Sequence, residues 1–75
     1  MRTLKQIALE INDDWTNIND YALPYLNAMY ELESINDSYG LDSAKSVVLY
    51  FLSNATTWKG ETAREIKKEL NKLCA

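Results

Sequence analysis

Apolar residues recur along this chain at steps of three and four, and polar stretches rich in Asn, Asp and Gly interrupt them. Leu4, Ile7, Ala8, Ile11 and Trp15 form the first apolar stripe, the signature of an amphipathic helix. Thr3 and Gln6 fit a capping box, in which hydroxyl and amide each satisfy a free backbone N–H. The pattern predicts a helix from about Thr3 to Trp15. Asn and Asp then crowd residues 12–20, and both types favour turns and caps over helix interiors. Asn19 or Asp20 is expected to cap a second helix reaching about Leu32, with Ala22, Leu26, Met29 and Tyr30 on its apolar side. Pro24 must then lie in its first turn, where a missing N–H costs least.

Residues 36–40 read as a loop, and Asp42 as the cap of a third helix from Ser43 to about Asn54. Within it, the run Val47 to Leu52 is apolar all round. Alone, that run could be a buried strand. No second strand candidate exists to pair with it, and a lone strand leaves its backbone groups unpaired. It is therefore read as the central, most buried helix, with Val48, Phe51 and Leu52 among the most buried side chains. Thr56 to Gly60 reads as a turn. Glu61 to about Leu73 reads as the last helix, with Ala63, Ile66, Leu70 and Leu73 inside. Gly40, Gly60 and Pro24 are the only Gly and Pro residues, a scarcity that favours helices over a turn-rich β fold. The fold class expected is all-α: a small bundle of four short helices, the third central, in one domain over residues 1–75.

Seventy-five residues give a small core, of the kind that disulfides, metals, oligomers or tidy helix packing must support. Cys74 is the only cysteine and histidine is absent. An internal disulfide and a thiolate or imidazole metal site are thereby excluded. Ser–His and Cys–His nucleophiles are excluded too. The pairs Asp13–Asp14 and Glu31/Glu33 lie in polar stretches where nothing would raise a carboxyl pKa, so no enzyme and no cofactor are expected. Asn36 to Asp42 resembles a calcium loop only faintly, because it lacks acids at alternate positions and the closing glutamate. No signal peptide and no ~20-residue apolar run is visible. The expected setting is cytoplasmic, away from membranes, with Cys74 on a frayed tail.

Charge divides along the chain. Residues 1–42 carry two cations against eight acids, net −6, and residues 43–75 carry six cations against three acids, net +3. Such asymmetry bears on partners rather than on fold. The acidic half also holds Tyr21, Tyr25, Tyr30 and Tyr39 among Glu31, Glu33 and Asp37. Tyrosine pairs an apolar ring with a polar tip, which suits protein interfaces. These seven residues form a candidate acidic and aromatic face for a basic partner surface, such as one on a nucleic-acid-binding protein. Lys59, Arg64, Lys67, Lys68 and Lys72 form a candidate basic face. Its bland reading is a solvated helix surface held by the intrahelical pairs Glu61–Arg64, Glu65–Lys68 and Glu69–Lys72. Trp58, in the turn, is either a plug for the core or a binding anchor, and the plug is favoured because a small core needs bulky residues.

The run Tyr39-Gly40-Leu41-Asp42-Ser43-Ala44-Lys45-Ser46-Val47-Val48-Leu49-Tyr50-Phe51-Leu52-Ser53-Asn54-Ala55, followed by Thr57-Trp58-Lys59-Gly60-Glu61-Thr62-Ala63-Arg64, resembles small hypothetical proteins of phages and prophages in Gram-positive bacteria. The resemblance covers about the last half of the chain and extends loosely to the opening helix. That group has no established activity, so no functional residue transfers. It implies a phage-encoded accessory protein in the host cytoplasm, of a size that acts by binding host or defence proteins, or DNA. The expected function is a non-enzymatic protein-interaction module, a modulator or inhibitor of a host or defence protein. A helix-turn-helix-like DNA-binding protein using the last helix is the alternative. A self-assembling module, with a homodimer joining the two charged halves, is the third reading.

Overall fold

A computed structural model describes residues 2–75. Thr3 opens helix α1 (Leu4–Asp14) through the expected capping box. Its Oγ1 accepts from the Gln6 N–H at 3.0 Å, and Gln6 Oε1 accepts from the Thr3 N–H at 2.8 Å. Two further orphan donors of the first turn, the N–H groups of Leu4 and Lys5, reach the carbonyls of Glu33 and Leu32 at 3.1 Å each. The segment that follows the second helix thus closes the start of the first.

Helix α2 (Leu23–Met29) is shorter than its apolar pattern suggests. Asn19, rather than Asp20, prepares its start: Oδ1 accepts from the N–H groups of Tyr21 at 3.0 Å and Ala22 at 2.8 Å. Pro24 sits in the first turn, as expected. The helix stops early because Glu31 and Leu32 turn to carbonyls three residues back, and the Asp37 carboxylate takes the N–H groups of Glu33 and Ser34.

The expected loop is a hairpin. Strand β1 (Ser38–Tyr39) pairs antiparallel with β2 (Asp42–Ser43), Ser38 opposite Ser43 and Tyr39 opposite Asp42. Gly40 supplies φ +62°, and no non-glycine residue described has positive φ. Positive φ at the first of two loop positions alone is the type II′ pattern, which matches strand twist. The fold is therefore mostly helical with a small two-stranded sheet, not purely all-α. Asp42 stands in this ladder, so the cap of helix α3 (Ala44–Ser53) falls to Ser43, whose Oγ accepts from the Ser46 N–H at 3.1 Å.

Helix α3 corrects a second expectation. Ala44, Val47, Val48 and Phe51 are buried, but Leu52 is half-buried and Leu49 and Tyr50 are exposed. The apolar run hides a one-sided helix. α3 packs against α2, helix α4 (Glu61–Cys74) and the hairpin, while α1 packs against α2 and α4. The helices close a ring in which α3 is one wall rather than an enclosed centre.

Three aromatic rings fill the end of the ring where α1, α3 and the α3–α4 turn meet. Trp15 and Trp58 stack at 5.6 Å, 13° from parallel. Phe51 meets both edge-on, at 6.2 Å and 6.4 Å, the spacing and tilt that ring quadrupoles favour. Arg2 then fastens α1 to α4. Its guanidinium pairs with Glu10 and, at 2.6 Å, with Glu69, and these two carboxylates, Glu69 foremost, hold its pKa above the ordinary arginine range. Cys74, expected on a frayed tail, is buried in the last turn of α4. Burial pushes its thiol pKa up, against a smaller opposing effect of Lys45.

Gly60 precedes α4 with φ +116° and ψ 179°, a region almost closed to side-chain-bearing residues. A Cβ there would meet no atom within 4 Å, so the cost of alanine is backbone strain alone. Gly60→Ala is expected to lower stability by about 1–3 kcal/mol in urea melting. An unchanged midpoint would show that the backbone relaxes without loss.

Candidate functional site

Four of the five residues of the candidate basic face converge. Lys59, Arg64, Lys67 and Lys68 line an open depression of about 530 Å³, together with the buried Trp58 and Ala63. Glu61 and Asn71 complete the lining, and Lys72 lies outside it. The depression exists because Gly60 swings the chain into α4 just after Trp58 has turned inward. The amphipathic pattern of α4 then buries Ala63, Ile66 and Leu70 and leaves the cations outside.

Lys67 is the anchored member. Its Nζ donates to the Trp58 carbonyl at 2.6 Å and stands 5.8 Å from the indole centroid, a cation–π distance. Burial, and then the charge of Lys59, lower its pKa. None of the expected intrahelical pairs forms. Among the described residues the only ion pairs are those of Arg2, which takes Glu69 away from Lys72. The depression is therefore rimmed by cations that form no ion pair among the described residues, with Glu61 the one acid in its lining.

Trp58 is 2% exposed, and its Nε1–H donates to Asp14 Oδ2 at 2.9 Å. It forms part of the core and supplies the buried wall of the depression. This burial favours the plug role over the anchor role, with Trp15 and Phe51 enclosing the ring.

The acidic and aromatic face is less continuous than its sequence order suggests. Tyr21 is 78% exposed just before α2, whereas Tyr30 is half-buried just after it, with its pKa raised by burial. Tyr25 lies between them and stacks on Tyr50 at 5.5 Å. At the hairpin end, Tyr39 is exposed and Glu31 stands beside its hydroxyl, raising its pKa. Glu33 is exposed nearby in the chain. Asp37 is a correction: its carboxylate is occupied in capping the turn at residues 33–34 and is half-buried. Two side chains escaped the sequence reading. Tyr50 was hidden in an apolar run, although Ala44, Val47, Val48 and Phe51 already marked the opposite face as the core. Leu41 is fully exposed at the hairpin tip, and only recognition of the turn would have singled it out.

Among the described residues no three His, Cys, Asp or Glu side chains gather to hold a metal ion. No helix among them is long and apolar enough to cross a membrane. Neither a protein family, nor a curated protein, nor a solved structure matches this chain.

Proposed function

We propose that this chain is a small non-enzymatic protein-interaction module, and that its acidic, tyrosine-bearing side docks on a basic surface of another protein. The observation that carries this reading is the Tyr25–Tyr50 stack at the α2–α3 seam. The stack is partly open to water and follows the exposed Tyr21 and Asp20. Rings held against one another lose little conformational entropy when a partner covers them, and tyrosine is enriched where interfaces bury their centres. The phage resemblance supports a modulator or inhibitor of a host or defence protein, acting in the host cytoplasm on a surface that ordinarily takes nucleic acid.

DNA binding by α4 is the second reading, favoured by the cations that rim the depression. Several features count against it. Seven residues separate α3 from α4, against the three or four of a helix-turn-helix. Lys67 is engaged by Trp58, and Glu61 and Glu65 share the exposed face.

The test is retention of host proteins from a nuclease-treated lysate by immobilised wild-type chain and by Tyr21→Ala/Tyr50→Ala. Both residues are exposed, so the variant should stay folded, with a melting temperature lowered by several degrees at most through loss of the Tyr25–Tyr50 stack. The expected result is a specific retained protein that the variant and about 500 mM salt both release. Proteins retained from a parallel untreated lysate but not from the nuclease-treated one would assign the chain to nucleic acid instead.

A further inference from the structure

The described surface carries a fully exposed leucine beside acidic residues and a depression rimmed mostly by cations. The leucine is Leu41, at the hairpin tip. A type II′ turn needs glycine only at its first position, and Leu41 at the second is left uncovered by the rest of the molecule. Asp42 follows it, and Glu31 and Tyr39 stand at the same end. The tip is held in place. Gly40 sets the turn, the Ala44 N–H donates to the Asp37 carbonyl at 2.8 Å, and Ser43 caps α3 directly behind it. The basin is the depression beside α4, floored by the buried Trp58 and Ala63 and walled by the side chains of Lys59, Arg64, Lys67 and Lys68, with Glu61 and Asn71 also in its lining.

We infer that a second copy of this chain occupies the basin, its hairpin tip inserting Leu41 between the cations while Asp42 and Glu31 meet them. The placement on α3 makes the contact reciprocal. The hairpin leads into the N-terminus of α3, and the turn bearing Trp58 follows its C-terminus. The ten residues of α3 span about 15 Å. In the proposed two-fold dimer the α3 helices run antiparallel, each hairpin tip against the other copy's basin.

Leu49 belongs to the same interface. Tyr50 stacks on Tyr25 of α2, so Leu49, about 100° round the helix, lies toward the other flank of α3, and it is 43% exposed. A standard interface takes about 800 Å² per partner, roughly a sixth of the 4940 Å² surface. The hairpin tip alone does not supply that area, and the outer face of α3 completes it. The inference requires no foreign partner; Glu31 and the outer face of α3, which carries Tyr50, belong to both surfaces, so dimerisation and partner docking compete.

Sedimentation of the full chain tests it. Wild type at about 500 µM is expected to run at twice its 8.6 kDa in about 50 mM salt, and to weaken in about 500 mM salt. Leu41→Asp is expected to weaken dimerisation roughly 10–100-fold with an unchanged circular dichroism spectrum. Arg64→Glu/Lys68→Glu and Glu31→Lys/Asp42→Lys should each be monomeric alone, because each sets like charges against one another. An equimolar mixture of the two should recover a dimer containing one of each. A monomeric wild type under the first condition overturns the inference. So does a dimer indifferent to Leu41→Asp, or a mixture that stays monomeric. Binding of a 15-nucleotide oligothymidine at about 150 mM salt, lost in Arg64→Glu/Lys68→Glu, would also overturn it by assigning the basin to nucleic acid.

Discussion

Phe51→Ala is expected to leave this chain largely unfolded at room temperature. Phe51 has no exposed surface and meets both tryptophans edge-on. Removing it opens a cavity where α1, α3 and the α3–α4 turn converge, at a cost of about 3–5 kcal/mol. A single core in a domain this small seldom supplies more than about 3–5 kcal/mol. The expected urea titration therefore shows no native baseline, or a midpoint close to zero denaturant. A loss below about 1 kcal/mol would mean that the aromatic cluster is not the centre of the core.

Trp58→Ala is expected to cost about as much by a different route. It removes the stack on Trp15, leaves the edge of Phe51 uncovered, and takes the ring from beneath Lys67. Trp58→Phe separates packing from hydrogen bonding. It keeps an aromatic ring but deletes the Nε1–H bond to Asp14, worth roughly 1 kcal/mol. The expected order of melting temperatures is wild type, then Trp58→Phe, then Trp58→Ala. A Trp58→Ala variant that melts like wild type but no longer binds a partner would restore the anchor reading.

Three of the four helices were legible almost to their ends: α1 and α4 write stripes at steps of three and four, and α3 followed from the lack of any strand to pair with its apolar run. α4 is the clearest case, with Ala63, Ile66 and Leu70 buried as their spacing requires. α2 was legible in place but not in length. Its end depends on the Asp37 carboxylate reaching back to Glu33 and Ser34, a contact that apolar spacing does not encode. The hairpin was missed for a related reason: strands of two residues leave no alternation to read, and only Gly40 with its φ of +62° betrays the turn. α3 misled because both of its faces carry apolar residues. Leu49 and Tyr50 look like core in sequence and stand in water in the fold.

The candidate faces divide in the same way. The cations of α4 could be grouped from the sequence because they share one helix, and Lys59 joins them through the turn. That Arg2 would claim Glu69 could not be read, since 67 residues separate the pair. Nor could the Tyr25–Tyr50 stack, which depends on how α2 and α3 settle against each other.

Site-specific photo-crosslinking tests the central claim most directly. A benzophenone side chain would replace Tyr21 in one sample and Tyr50 in a second, with Asn12 on the exposed side of α1 as the control position. After irradiation in nuclease-treated host lysate, the account predicts one foreign protein adduct shared by positions 21 and 50 and absent at position 12. The adduct should fade when about 500 mM salt is present during irradiation. Adducts of equal strength at all three positions, or none at positions 21 and 50, would contradict the claim that the tyrosine-bearing face is the surface by which this protein works.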